Sequence, residues 1–106
     1  MEKTLNFTID GKAYTLAYTR NTVIATENMG FSISEIANKP IKSLTTLWRG
    51  AFLAHHSSLT VAEVDEIFDK VDKVGLLDAL IELYKAPVES LFDEENSKNA
   101  IKWTMN

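Results

Sequence analysis

Leu5-Asn6-Phe7-Thr8-Ile9-Asp10-Gly11-Lys12-Ala13-Tyr14-Thr15-Leu16 is the stretch on which the fold class turns. Leu5, Phe7 and Ile9 alternate with Thr4, Asn6 and Thr8, the period-two pattern of a strand with one buried face. Asp10-Gly11 suits a two-residue type I′ turn, whose central positions both need φ > 0. A return strand runs from Lys12 to about Thr19, with Tyr14, Leu16 and Tyr18 at every second position. The short loop pairs Ile9 with Lys12, Phe7 with Tyr14 and Leu5 with Leu16, all on one face. A lone hairpin is marginal in water, so helices must cover that face.

The rest of the chain supplies them. Thr19 to Asn21 offers an N-cap for a helix with Val23, Ile24 and Glu27, ending near Asn28-Met29-Gly30 with Gly30 as C′ residue. Phe31 to Ile36 reads as a short helix capped by Ser32, with Glu35 three positions on and Pro40 separating it from the next helix. Ile41 to His55 carries Ile41, Leu44, Leu47, Trp48, Ala51 and Phe52 at helical spacing. Thr60-Val61-Ala62-Glu63 is a capping box opening a helix of Val64, Ile67, Phe68, Val71 and Val74, which should end near Gly75. A Leu-rich helix from Leu76 to Tyr84 should kink or break at Pro87, with Val88, Leu91 and Phe92 in a new turn.

The predicted class is therefore α+β, mostly α: an N-terminal β-hairpin (residues 3–19) packed on a bundle of about four to five helices. Residues 1–92 form a single domain; residues 93–106 form a polar loop followed by a short C-terminal helix or tail carrying Ile101, Trp103 and Met105. The 106-residue length and 45% hydrophobic content fit one packed core, and four Gly and two Pro leave little room for linkers.

A net charge of −4 with scattered Lys and Arg argues against nucleic-acid binding, which needs a basic stripe to displace counterions from phosphate. Apolar runs of about four residues fall far short of the roughly 20 that span a bilayer, and no apolar run comes after Lys3 as in a signal peptide. With no cysteine, the chain suits a reducing cytoplasm.

Each chemical motif tested fails. His55-His56 point about 100° apart on a helix, which suits a helix end better than a metal site. Asp65, Asp69 and Asp72 do not match a calcium loop: counted from Asp69, Val71, Lys73 and Val74 occupy its third, fifth and sixth positions. Glu27, Glu35, Glu63, Glu66, Glu82 and Glu89 sit on polar helix faces or in caps. Gly11, Gly30, Gly50 and Gly75 never cluster into a phosphate cradle, and Ser57 and Ser58 lack a nucleophile elbow. The expectation is a non-enzyme without cofactor or metal. What remains is surplus hydrophobicity. Trp48, Phe52, Leu53, Leu83, Phe92 and Trp103 exceed what one stripe per helix can bury in so small a domain; they mark a partner surface or a self-association face of a homo-oligomer, and are the candidate partner-binding residues.

The order of these features resembles a known family. A hairpin from Phe7 to Leu16 leads to a helix with an acidic residue before Met29-Gly30-Phe31-Ser32-Ile33. A Trp/Leu-rich helix (Leu44 to Leu53), a Leu-Thr-x-x-Glu-Val start (Leu59 to Val64) and a Leu-rich helix come next. This layout, over about residues 5 to 92, is similar to tail assembly chaperones of long-tailed bacteriophages and related prophages of Gram-positive hosts. The resemblance implies a non-enzymatic protein that coats the long helical tape measure protein and keeps it soluble until the tail tube polymerises. It also implies a short form of a product whose longer, frameshifted form would recruit the tube protein. It transfers no binding residue. The rival is a small helical, dimeric regulatory or inhibitor protein of phage or mobile-element origin. A neighbouring gene for a very long helical product favours the chaperone, and a neighbouring toxin or repressor favours the rival.

Overall fold

The computed structural model describes residues 3–92 and 100–105. Strands β1 (Leu5–Ile9) and β2 (Lys12–Leu16) pair antiparallel in the predicted register, Leu5 with Leu16, Phe7 with Tyr14 and Ile9 with Lys12. Asp10 and Gly11 both take positive φ, as the tight turn requires. Among the described residues four α-helices come after the hairpin: α1 (Arg20–Asn28), α2 (Pro40–Ala51), α3 (Val61–Lys70) and α4 (Leu76–Ser90). The class is α+β and mostly α, as the hairpin and helical spacings predict.

The N-caps match the sequence closely. Thr19 accepts from the Thr22 amide while the Thr22 hydroxyl takes the Thr19 amide, and Thr60 and Glu63 reciprocate in the same way. These pairs satisfy orphan donors that each helix start would otherwise leave to water. Gly30, with φ of 99°, turns the chain after α1.

Element ends depart from expectation where tertiary contacts intervene. The return strand stops at Leu16, and the Ala17 amide donates to the Ala51 carbonyl at the end of α2. The second half of Phe31 to Ile36 is a single 3₁₀ turn, Ile33–Glu35, and Ser32 does not cap it; its hydroxyl pairs with that of Ser34. Pro40 opens α2 at its first position, where a missing N–H costs nothing, rather than only separating two helices. That helix ends at Ala51, so Phe52 to His56 lie in tightened turns. Helix α3 ends at Lys70: the Lys73 ammonium takes the Phe68 and Val71 carbonyls, and Asp72 accepts from the Val74 amide. Val74 is consequently exposed, not part of the stripe. Helix α4 runs through Pro87 to Ser90 without the expected break. Of the predicted C-terminal segment, residues 100–105 contain no helix, and residues 93–99 lie outside the described residues.

Helix α2 is the centre of the molecule. Leu47, Trp48, Ala51 and Phe52 are essentially inaccessible, covered by the hairpin and the other helices. Trp48 stacks on Phe7 and meets Phe68 and Phe52 edge-on, and its indole N–H donates to the Val64 carbonyl at 2.8 Å. An Arg49–Asp65 fork, 2.6 Å at its shorter bond, ties α2 to α3 at the surface. Tyr18 donates to the Leu47 carbonyl at 2.7 Å, and burial holds its hydroxyl far above the usual phenol range. Gly50 lies beneath this contact. A Cβ there would overlap the Thr26 hydroxyl and come 2.6 Å from the Tyr18 oxygen.

Gly50→Ala should therefore cost about 1–3 kcal/mol or more, through displacement of α1 or Tyr18. The higher helix propensity of alanine would otherwise favour the change by roughly 1 kcal/mol. Urea denaturation monitored by circular dichroism checks the sign: a variant as stable as the parent would mean that the helices part freely.

Candidate partner-binding surfaces

The six sequence-predicted residues divide into two sets. Trp48 and Phe52 are each 1% exposed and Leu83 is 5% exposed, so they are core residues and not part of a partner surface. One stripe per helix underestimates the burial available because α2 is covered by the hairpin and by three helices, which together enclose most of its circumference. Leu53 is half-buried. Phe92 and Trp103 are 83% and 80% exposed, placed where a partner can reach them.

Residues outside those six add to the exposed apolar surface. Helix α4 packs into the core through Leu76, Leu80, Leu83 and Tyr84, and then continues for about two turns. Tyr84, Val88 and Leu91 are spaced at i, i+4 and i+7, so they share one face. That face is closed at Tyr84 and opens at Val88 and Leu91. Ile33 of the 3₁₀ turn lies alongside, and with Tyr84 and Val88 it lines an apolar groove of about 400 Å³ rimmed by Lys85 and Glu89. The signal in the sequence was this spacing running past the last core leucine, obscured by the expectation of a break at Pro87. A smaller apolar depression, about 140 Å³, lies over the end of α2, where Met29, Leu53, Leu59 and Val61 surround buried Phe52.

Polar groups around these surfaces have structural partners. His56 packs against Tyr14 and Phe52, and its Nε2 accepts from the Thr15 amide at 3.1 Å. Burial first, then the neighbouring His55 and Lys12, holds its pKa below the ordinary histidine range. Tyr84 reaches Glu27 across 3.4 Å, and burial, aided by that carboxylate, raises its hydroxyl pKa. Among the described residues, no three His, Asp or Glu side chains gather to hold a metal, and every buried side-chain nitrogen or oxygen is hydrogen-bonded. No helix among them is long and apolar enough to cross a membrane.

Comparison with known proteins yields one match. The whole chain, residues 1–106, fits the model of a family described as "Domain of unknown function (DUF5055)". No curated protein and no solved structure matches it.

The placement of the two tryptophans and of His56 has measurable consequences. In dilute solution, iodide should quench Trp103 and spare Trp48, so Trp103→Phe should leave a blue-shifted emission that iodide hardly reduces; strong residual quenching would contradict the burial of Trp48. For His56, the folded-state pKa is depressed relative to the unfolded value, so its contribution to stability is complete above about pH 6.5. That contribution is lost as pH falls from there through the folded-state pKa, because the unfolded chain takes up the proton more readily. His56→Gln can keep an acceptor near the Thr15 amide without titrating, and should flatten this part of the stability–pH curve measured by denaturant midpoints.

Proposed function

We propose that this chain, which belongs to the DUF5055 family, is a non-catalytic protein that binds and shields a long helical partner, in the manner of a phage tail assembly chaperone on its tape measure protein. The layout from the hairpin to the Leu-rich helix motivates the comparison with such chaperones. The observation that carries the reading is the apolar face of α4 beyond the core, at Val88 and Leu91, with Ile33 beside it.

A groove of this kind accepts the apolar stripe of an amphipathic helix, the usual helix-in-groove mode of recognition. Lys85 and Glu89 at its rim place both signs of charge beside the partner's polar flanks. The groove is short, so each contact is weak, and many copies along one polymer supply the avidity. The net charge of −4 per copy gives a loaded complex a charge that opposes aggregation. Exposed Phe92, just past the end of α4, adds to the apolar contact area. A longer frameshifted form would add the segment that recruits the tail tube protein. This reading places the protein in the host cytoplasm, where tails assemble, and requires neither cofactor nor catalysis.

Where a long helical protein is encoded beside this chain, the test is co-expression with it. The wild type should render that protein soluble and co-purify in many copies per partner. Val88→Asp combined with Leu91→Asp alters exposed positions and should leave the fold intact while abolishing the rescue. If the wild type leaves the long protein insoluble and unbound, the chaperone reading fails. Binding to a neighbouring toxin or repressor would replace it with the regulatory one.

A further inference from the structure

We propose that residues 101–105 of one copy add as a third strand to the open edge of β1 in a second copy, so that the chain assembles head to tail. This rests on the hairpin and the C-terminal segment, and does not depend on the shielding role.

The two edges of the hairpin differ. Along the β2 edge two outward amides are taken: Thr15 donates to His56 Nε2 and, just past the strand, Ala17 to the Ala51 carbonyl. In this register Phe7 and Leu5 exchange bonds with β2, while Asn6 and Thr8 aim their N–H and C=O groups away from it. Among the described residues, no backbone group outside the hairpin bonds to Asn6 or Thr8. The apolar face is also unfinished on this side. Tyr14 and Leu16 of β2 are buried, whereas Leu5, Phe7 and Ile9 of β1 are half-buried. An open edge with a partly covered apolar face is a template for another strand.

Ile101-Lys102-Trp103-Thr104-Met105 has the complementary pattern. It alternates apolar and polar residues, is non-helical and equals β1 in length. Its apolar members are 93%, 80% and 87% exposed. Antiparallel addition with Trp103 opposite Phe7 sets Met105 against Leu5 and Ile101 against Ile9. The indole then joins the ring stack of Phe7 with Tyr14 and Trp48. On the polar face Thr104 meets Asn6, and Lys102 falls beside Thr8, one diagonal step from Asp10. Asp10 already lies 3.7 Å from the Lys70 ammonium, and of the two registers only the antiparallel one brings Lys102 to the same carboxylate.

Exposure favours a second copy over the same one: Ile101, Trp103 and Met105 stand in water while the apolar residues of β1 remain half-buried, so the segment does not lie on its own hairpin. Donor and acceptor are different surfaces, so the contact is heterologous and propagates into a ring or filament.

Complementation tests this. Thr8→Pro removes an outward N–H but no bond of the β1–β2 ladder; Trp103→Asp changes an exposed side chain. By light scattering during size exclusion, the wild type should rise above 11.9 kDa with concentration. Each variant alone should stay at that mass, and an equal mixture should give a species of twice the mass and nothing larger. A labelled peptide of residues 100–106 should bind the Trp103→Asp chain, which also covers a misfolded Thr8→Pro. A wild type that stays monomeric overturns the proposal, as does a Trp103→Asp chain that still self-associates or fails to bind the peptide.

Discussion

The absence of a side chain at Gly50 lets α1 and Tyr18 press directly onto α2, with Thr26 and the Tyr18 hydroxyl occupying the space a methyl group would need. Much of the molecule is built outward from that approach. Tyr18 can reach the Leu47 carbonyl because the helix surface is flat there, and its neighbour Ala17 can then hand its amide to Ala51. Those two bonds fix where β2 leaves the sheet and how the hairpin lies over Trp48 and Phe52. They also account for the early end of α2: its last carbonyl, Ala51, serves Ala17, and the chain turns back so that His56 can accept from Thr15.

Burial is distributed unevenly around this centre. Helix α2 takes up the aromatic residues that had looked surplus, because the hairpin and three helices cover it. The peripheral elements each bury one side and stop short of closing. Helix α4 passes beyond its core contacts with an apolar face still open at Val88 and Leu91, and β1 leaves Leu5, Phe7 and Ile9 half-covered. Burying apolar surface stabilises roughly in proportion to area, so such unfinished faces are where association gains most. The α4 groove has the form of a helix-binding surface, while the β1 edge has that of a strand-binding one. The chain thus has the means to hold a different protein and a copy of itself on two separate surfaces.

The candidate surfaces were only partly legible in the sequence. Phe92 and Trp103 stand out because they follow the last core leucine of the chain, and both are exposed. Trp48, Phe52 and Leu83 were misassigned because counting stripes treats every helix as peripheral, and nothing in local spacing reveals which helix the others surround. Val88 and Leu91 carried a readable signal, i, i+4 and i+7 from Tyr84. It was masked by Pro87, whose missing N–H and ring were expected to break a helix that in fact continues.

By itself the sequence determined what is settled within a few residues. Alternation and Asp10-Gly11 dictate the hairpin and its register, since a shift of one residue would turn every apolar side chain outward. Thr19 and Thr60 dictate where two helices start, since a side-chain oxygen three residues from an orphan amide needs no distant partner. Tertiary structure alone decided the rest: where α2 and α3 end, which helix is central, and which apolar residues stay in water. Each of these depends on a group remote in sequence, such as Ala17 on Ala51, Thr15 on His56 or Thr26 on Gly50. Neither periodicity nor capping chemistry reaches that far along the chain.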